Sequence, residues 1–293
     1  MATIAKSNIF RIGGDLSVHR MGFGAMRLTG PGVWGPPADK ASAQSVLRRA
    51  VELGVDFIDT ADVYGPGYNE QLIREALSPY SASLVIATKG GMVRSGPATR
   101  ENPGMSTNGT EEHIRKAIEG SLHDLGVECI DLYQLHRVDP ATPIEETMHV
   151  FRALREEGKI RHIGLSEVSI EEIERARSVV DIATVQNVYN LATRKHFDVL
   201  SYCETNAIGF IPFYPQNVGP FAKSSVIAQI VARTAMTPGQ IALAWLLKSS
   251  PVLIPIPGTS SVQHLEENMD ACNIVLSAAD MDALEQLDEN QTT

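Results

Sequence analysis

The chain has 293 residues, 43% hydrophobic and 20% charged, ordinary proportions for a soluble globular enzyme with a large core. Its 35 acids outweigh 25 Lys and Arg, and the formal net charge of -10 argues against nucleic acid or an anionic membrane as the main partner, since such binding runs on clustered cations. Cys129, Cys203 and Cys272 show no metal-binding spacing, Met1–Asn8 has no apolar signal core and no run of about 18 apolar residues occurs, so a reduced, cytoplasmic protein is expected.

Ile9–Ile12 and Leu16–Val18, separated by Gly13-Gly14-Asp15, read as a hairpin able to plug the bottom of a barrel. Met21–Met26 is the first barrel strand, and Lys40–Leu53 follows as a helix with Ala43, Val46, Leu47, Ala50 and Leu53 on one face. The second strand ends at Asp59, with a helix over Asn69–Leu77, and the third ends at Lys89. Thr110 then caps a helix to Leu125, and the fourth strand ends at His136. Glu145–Glu157 is helical and stops at Gly158, Ile160–Leu165 is the fifth strand, and Ser169–Val179 is helical. The sixth strand surrounds Thr184-Val185-Gln186, the seventh is Ile208–Phe213 and the eighth Val252–Pro257. This alternation predicts an α/β fold, a (β/α)₈ TIM barrel with an N-terminal β-hairpin plug, as a single domain over residues 1–293. An open doubly wound sheet is the alternative, but it would not end nearly every strand in a polar residue.

Gly30-Pro31-Gly32-Val33-Trp34-Gly35 fits G-x-G-x-x-G, the dinucleotide fingerprint. That fingerprint needs its helix to begin within the motif, whereas here Pro36-Pro37 intervenes and the helix starts near Asp39. The segment therefore reads as a loop, with Trp34 lining the substrate mouth. The informative set is Asp59, Tyr64, Lys89 and His136, gathered near three strand ends. A carboxylate, a phenol, an ammonium and an imidazole together can deliver a proton to a carbonyl oxygen.

With these four, Gly22-Phe23-Gly24-Ala25-Met26, Asp56–Gly65, Leu135-His136, Lys159–Ser166, Gln186-Asn187, and Ile256-Pro257-Gly258-Thr259 with Glu267-Asn268 stand in the order found in aldo-keto reductases. The chain resembles that family along essentially its whole length, and within it bacterial members of the pyridoxal-reductase-like kind. The resemblance implies that Tyr64 is the general acid, that Lys89 lowers its pKa, that Asp59 holds Lys89, and that His136 orients the substrate carbonyl. It further implies that Ser166 and Gln186 bind the nicotinamide carboxamide and that Phe213 stacks on the ring. Thr259, Ser260, Gln263 and His264 would hold the adenosine phosphate, with Glu267 and Asn268 at the adenine.

Three positions depart from the family pattern. Glu167 replaces a common Asn, the seventh loop Tyr214–Gly219 lacks the usual Leu-Gly after its proline, and Gly258 and His264 stand where some members carry Lys and Arg. The cofactor expected is NADPH, with NADH the alternative, and the partner a small-molecule carbonyl substrate. The rival reading is a nucleotide-binding accessory or redox-sensing subunit with negligible turnover. Substrate choice would lie in Thr29–Ala38, Met92–Asn108 and Gln216–Ala222, whose few charges include Arg94, Arg100 and Glu101.

Overall fold

Residues 9–287, other than 100 and 103, are described by a computed structural model. Met1–Asn8 and the loop residue Arg100 lie outside the described residues. β1 (Ile9–Ile12) and β2 (Leu16–His19) pair antiparallel as the predicted hairpin, turning through Gly13 and Gly14 at φ of 61° and 87°. L side chains enter that region only with strain, which is why two glycines sit there.

β3 (Phe23–Gly24), β4 (Phe57–Asp59) and β5 (Val85–Gly90) follow, then a short hairpin of β6 (Met92–Arg94) and β7 (Met105–Thr107). β8 (Ile130–Leu135), β9 (Ile160–Ser166), β10 (Thr184–Gln186) and β11 (Gly209–Phe210) complete the set. β3, β4, β5, β8, β9, β10 and β11 form one parallel sheet in that order. The predicted eighth strand closes the ring as an irregular stave. Phe210 N–H donates to Val252 O at 2.8 Å and Ile254 N–H to Phe210 O at 2.8 Å on one side; Gly22 N–H donates to Pro255 O at 3.0 Å on the other. Pro255 and Pro257 lack an N–H, so this segment cannot form a regular ladder. The first strand is also shorter than predicted, because Ala25–Leu28 turns into a 3₁₀ helix.

The helices are α1 (Lys40–Glu52), α2 (Tyr68–Leu77), α3 (Glu111–Leu125), α4 (Ile144–Glu156) and α5 (Ile170–Arg177). They continue as α6 (Phe197–Thr205), α7 (Ser225–Thr234), α8 (Pro238–Ser249), α9 (Val262–Asp270) and α10 (Ala278–Glu285). Asp39 caps α1 by accepting from Ser42 N–H at 2.9 Å, and Ser169 with Glu172 forms a reciprocal capping box on α5. Thr110 occupies the cap position of α3 but does not cap it. Its hydroxyl donates instead to Asn108 Oδ1 at 2.7 Å.

Two apolar clusters explain where the site must lie. Ile58, Ile86, Tyr133, Leu135, Ile163, Leu165 and Val185 join the helices in the outer core. Phe57, Val85, Ala87 and Leu132 point the other way and pack with Ile12, Leu16 and Val18 of the hairpin, so the plug seals the barrel floor. Side chains alternate faces along a strand, so Asp59, Lys89, Gln134, Ser166 and Gln186 continue the inward rows above that floor.

Behind the sheet, Glu70 of α2 is buried and accepts from Thr88 Oγ1 at 2.6 Å. Burial, partly opposed by hydrogen bonds, raises its carboxyl from 4.5 to about 7. A raised acid favours the folded state below its unfolded pKa and loses that contribution as pH climbs to the folded value. Glu70→Gln is therefore expected to flatten the fall in stability between about pH 4.5 and 7, by roughly 3 kcal/mol for a shift of this size. Denaturant unfolding at both ends of that range measures it, and an unchanged pH slope would contradict it.

Candidate active site

Lys89 is wholly buried and donates from Nζ to Asp59 Oδ1 at 2.6 Å and to Thr60 O at 2.8 Å. The second oxygen, Asp59 Oδ2, accepts from Gln134 Nε2 at 3.1 Å and Gln186 Nε2 at 2.8 Å. A buried ion pair is tolerable only when its remaining valences are satisfied, and these two amides do that. Gln134 was not picked out from the sequence, although it lies two residues before His136 and so on the same face. Gln186, read as a carboxamide ligand, has its amide nitrogen committed to Asp59.

Tyr64 stands on the loop after β4. Its ring centroid is 5.3 Å from Lys89 Nζ, and it meets His136 edge-on, with centroids 5.9 Å apart and planes at 83°. Burial pushes the phenol above its ordinary value, Asp59 adds to the rise, and Lys89 and Arg137 pull it down. The net lowering expected from Lys89 is thus reversed, because desolvation outweighs an ammonium that acts with the expected sign. Burial first, and then Lys89, Arg137 and Arg94, hold His136 well below its ordinary value, so the imidazole is neutral at pH 7. Its Nδ1 is buried with no hydrogen-bond partner among the described residues.

Arg137 is the clearest residue that sequence reasoning missed. Its Nη1 donates to His136 O at 2.5 Å and to Ser166 Oγ at 2.9 Å, and its guanidinium carbon lies 5.9 Å from the Phe213 ring centroid. Ser166 and Phe213 are therefore brought together at Arg137. Glu167 adopts a left-handed φ of 53°, a conformation that suits Asn better. Its carboxylate accepts from Val188 N–H at 2.7 Å and stands 3.6 and 3.7 Å from Lys195 and His196. Trp34 is 39% exposed, and the neighbouring Val33 O accepts from Gly65 N–H at 3.1 Å, tying its loop to the Tyr64 segment.

The other predicted site residues lie around the start of α9. Thr259 Oγ1 accepts from Ser261 N–H at 3.1 Å, and Ser261 caps the helix, while Ser260, Gln263 and His264 are exposed around that first turn. Gln263 Nε2 donates to Glu267 Oε1 at 3.0 Å, and Gln216 Nε2 donates to Asn268 Oδ1 at 2.6 Å. Asn268 Nδ2 is buried without a partner among the described residues, a donor suited to an acceptor edge of a base. A Cβ on Gly258 would come 2.7 Å from Gly24 O, and Arg27 Cγ lies 3.9 Å from that point. Exposed donors at a helix N-terminus suit phosphate, so this donor set fits a dinucleotide.

A family model described as the aldo/keto reductase family matches residues 20–289. The chain belongs to that family. As an aldo/keto reductase it is an oxidoreductase of carbonyl compounds. It is 48% identical over 266 residues to an uncharacterized oxidoreductase of Schizosaccharomyces pombe, covering 90% of this chain and 85% of the other. It is 42% identical over 277 residues to pyridoxine 4-dehydrogenase of Escherichia coli, covering 92% and 95%. Its fold matches an aldo-keto reductase from Klebsiella pneumoniae solved in complex with NADPH, at a TM-score of 0.78 and 27% identity over 98% and 95% of the chains. Of the described residues, no helix is long and apolar enough to cross a membrane, and no group of three or more His, Cys, Asp or Glu could hold a metal ion.

Proposed function

We propose that Tyr64 protonates the oxygen of an aldehyde or ketone while NADPH reduces its carbon, and that residues 1–293 act as one cytoplasmic domain. The observation that carries the reading is the Asp59–Lys89 pair, buried behind the Tyr64 ring with His136 at its edge. When bound, NADPH supplies a hydride. Tyr64 gives its hydroxyl proton to the carbonyl oxygen as negative charge develops there, and the Lys89 ammonium stabilises the phenolate left behind. Asp59, gripped by Gln134 and Gln186, fixes Lys89. Neutral His136 is a hydrogen-bond donor that orients the carbonyl. Ser166 and Phe213 hold the nicotinamide, and Gln186 shares in that contact through its carbonyl oxygen.

At the far end, Thr259, Ser260, Gln263 and His264 surround the adenosine phosphate, and Glu267 and Asn268 reach the adenine. Gly258 provides no charge there, and the neighbouring Arg27 takes that part, which favours NADPH over NADH. Arg27→Ala is expected to weaken NADPH binding about tenfold or more, the value of a charge-assisted hydrogen bond, and to leave NADH nearly unchanged. Fluorescence titration with both cofactors checks this, and equal weakening would show that Arg27 shapes the loop rather than reading the phosphate. The reading as a whole is tested by following NADPH absorbance with a panel of aldehydes. The likeness to pyridoxine 4-dehydrogenase puts pyridoxal first, followed by small aromatic aldehydes and sugars.

A further inference from the structure

Arg94, the last residue of β6, has no part in the reduction described above. Its Nε donates to Gly96 O at 3.0 Å and its Nη2 to Gly32 O, so main-chain carbonyls of two loops hold the guanidinium beside the segment carrying Trp34. Neither bond neutralises its charge. Among the described residues no carboxylate pairs with it, and the ionisable group it senses is the Tyr64 hydroxyl. Arg94 is in turn one of three cations, with Lys89 and Arg137, that act on His136.

The acids nearby do not cancel these charges. Asp59 is spent on Lys89, and Glu167, which acts on Arg137, already accepts from Val188 N–H and lies beside Lys195 and His196. Burial, and after it the charge of Glu70, push the Asp62 carboxyl well above its ordinary value, which favours its neutral form. Two part-buried guanidinium groups without a bound carboxylate thus adjoin the segments that carry Tyr64 and His136, in a chain of net charge -10: Arg137 donates to His136 O, and Arg94 donates to Gly32 O, next to Val33, whose carbonyl accepts from Gly65 N–H beside Tyr64. At long range that net charge repels anions, so any selection for them must come from these local cations. The exposed rings of Trp34 and Tyr214 leave apolar surface for the neutral body of a substrate.

We infer that the preferred substrates of this reductase are carbonyl compounds bearing a carboxylate or similar anionic group, and that Arg94 binds that group. The inference rests on the carbonyl-reductase reading. A half-buried guanidinium held by carbonyls alone has lost hydration without gaining a counter-charge, and an anion placed across its free edge restores both. Because two loops already fix Arg94, little ordering is lost when the anion arrives.

The test compares 4-carboxybenzaldehyde with its near-isosteric neutral partner, 4-carbamoylbenzaldehyde. Wild type is expected to favour the carboxylate about tenfold or more in kcat/KM, mostly through KM, and to lose that preference as salt screens it. Arg94→Gln should abolish the preference and Arg94→Lys should restore part of it, a rescue that damage to the loop would not produce. Calorimetric binding of the two corresponding alcohols to the NADPH-loaded protein, a pairing in which neither partner can accept a hydride, reads the same preference without turnover. Carboxylate selectivity in binding supports the inference even if reduction is never seen, which would count against the reductase reading instead. Equal binding of the two alcohols by wild type, or an Arg94→Gln loss shared equally by both compounds, overturns it.

Discussion

Replacing Tyr64 with phenylalanine is expected to slow carbonyl reduction by about 10²–10⁴-fold while NADPH still binds, the usual worth of a positioned general acid. The substitution removes one hydroxyl. The ring keeps its edge contact with His136 at 5.9 Å and its place 5.3 Å from Lys89, so the pocket wall is preserved. Steady-state rates and cofactor titration together separate lost chemistry from lost binding. Turnover near the wild-type rate would remove Tyr64 from the mechanism.

Lys89→Met should be as damaging to rate and more damaging to stability. Lys89 is 0% exposed, and its loss leaves Asp59 as a buried charge without a cation, a change of roughly 3–5 kcal/mol. Gln134 and Gln186 still hold Asp59 Oδ2, which places the effect toward the lower end. For the chemistry, the phenol loses the larger of the two cationic influences that lower it, leaving Arg137, while burial and Asp59 continue to raise it. Reduction requires the protonated phenol, so activity is lost as pH rises through its pKa, and in the variant that basic limb moves to higher pH. Thermal unfolding and the pH dependence of kcat/KM check the two parts. Adding Asp59→Asn should recover stability but not rate, since it removes the orphaned charge without returning the ammonium. If the limb stays in place in Lys89→Met, the lysine does not tune Tyr64.

What the sequence made legible follows from the geometry of strands. Asp59, Lys89 and His136 stand out because each ends an apolar run, and period-two alternation sends them to the same side as the Phe57, Val85 and Leu132 rows that fill the barrel. The closing stave at 252–257 and the hairpin plug were legible for the same reason. Gln134 obeys that periodicity and could have been found from it. Arg137 could not, since one residue beyond His136 the strand has ended and alternation no longer says where a side chain points. Arg94 and Arg27 owe their places to loop paths, the Gly96 and Gly32 carbonyls for one and the close approach of Gly24 to Gly258 for the other. Thr110 satisfied the rule for a cap, yet Asn108 competed for its hydroxyl. The sign of the Tyr64 shift depends on how deeply the ring is buried, a tertiary quantity that no motif carries.

The most direct measurement of the central claim is a single turnover of the wild-type protein. Protein loaded with less than one equivalent of NADPH is mixed with a reactive aldehyde, and the absorbance of the reduced nicotinamide is followed by stopped flow. The account predicts complete loss of that absorbance in one fast phase, with one alcohol formed per cofactor oxidised, and a phase slowed by about 10²–10⁴-fold in Tyr64→Phe. NADPH that binds to the wild-type protein yet stays reduced across the aldehyde panel would contradict it.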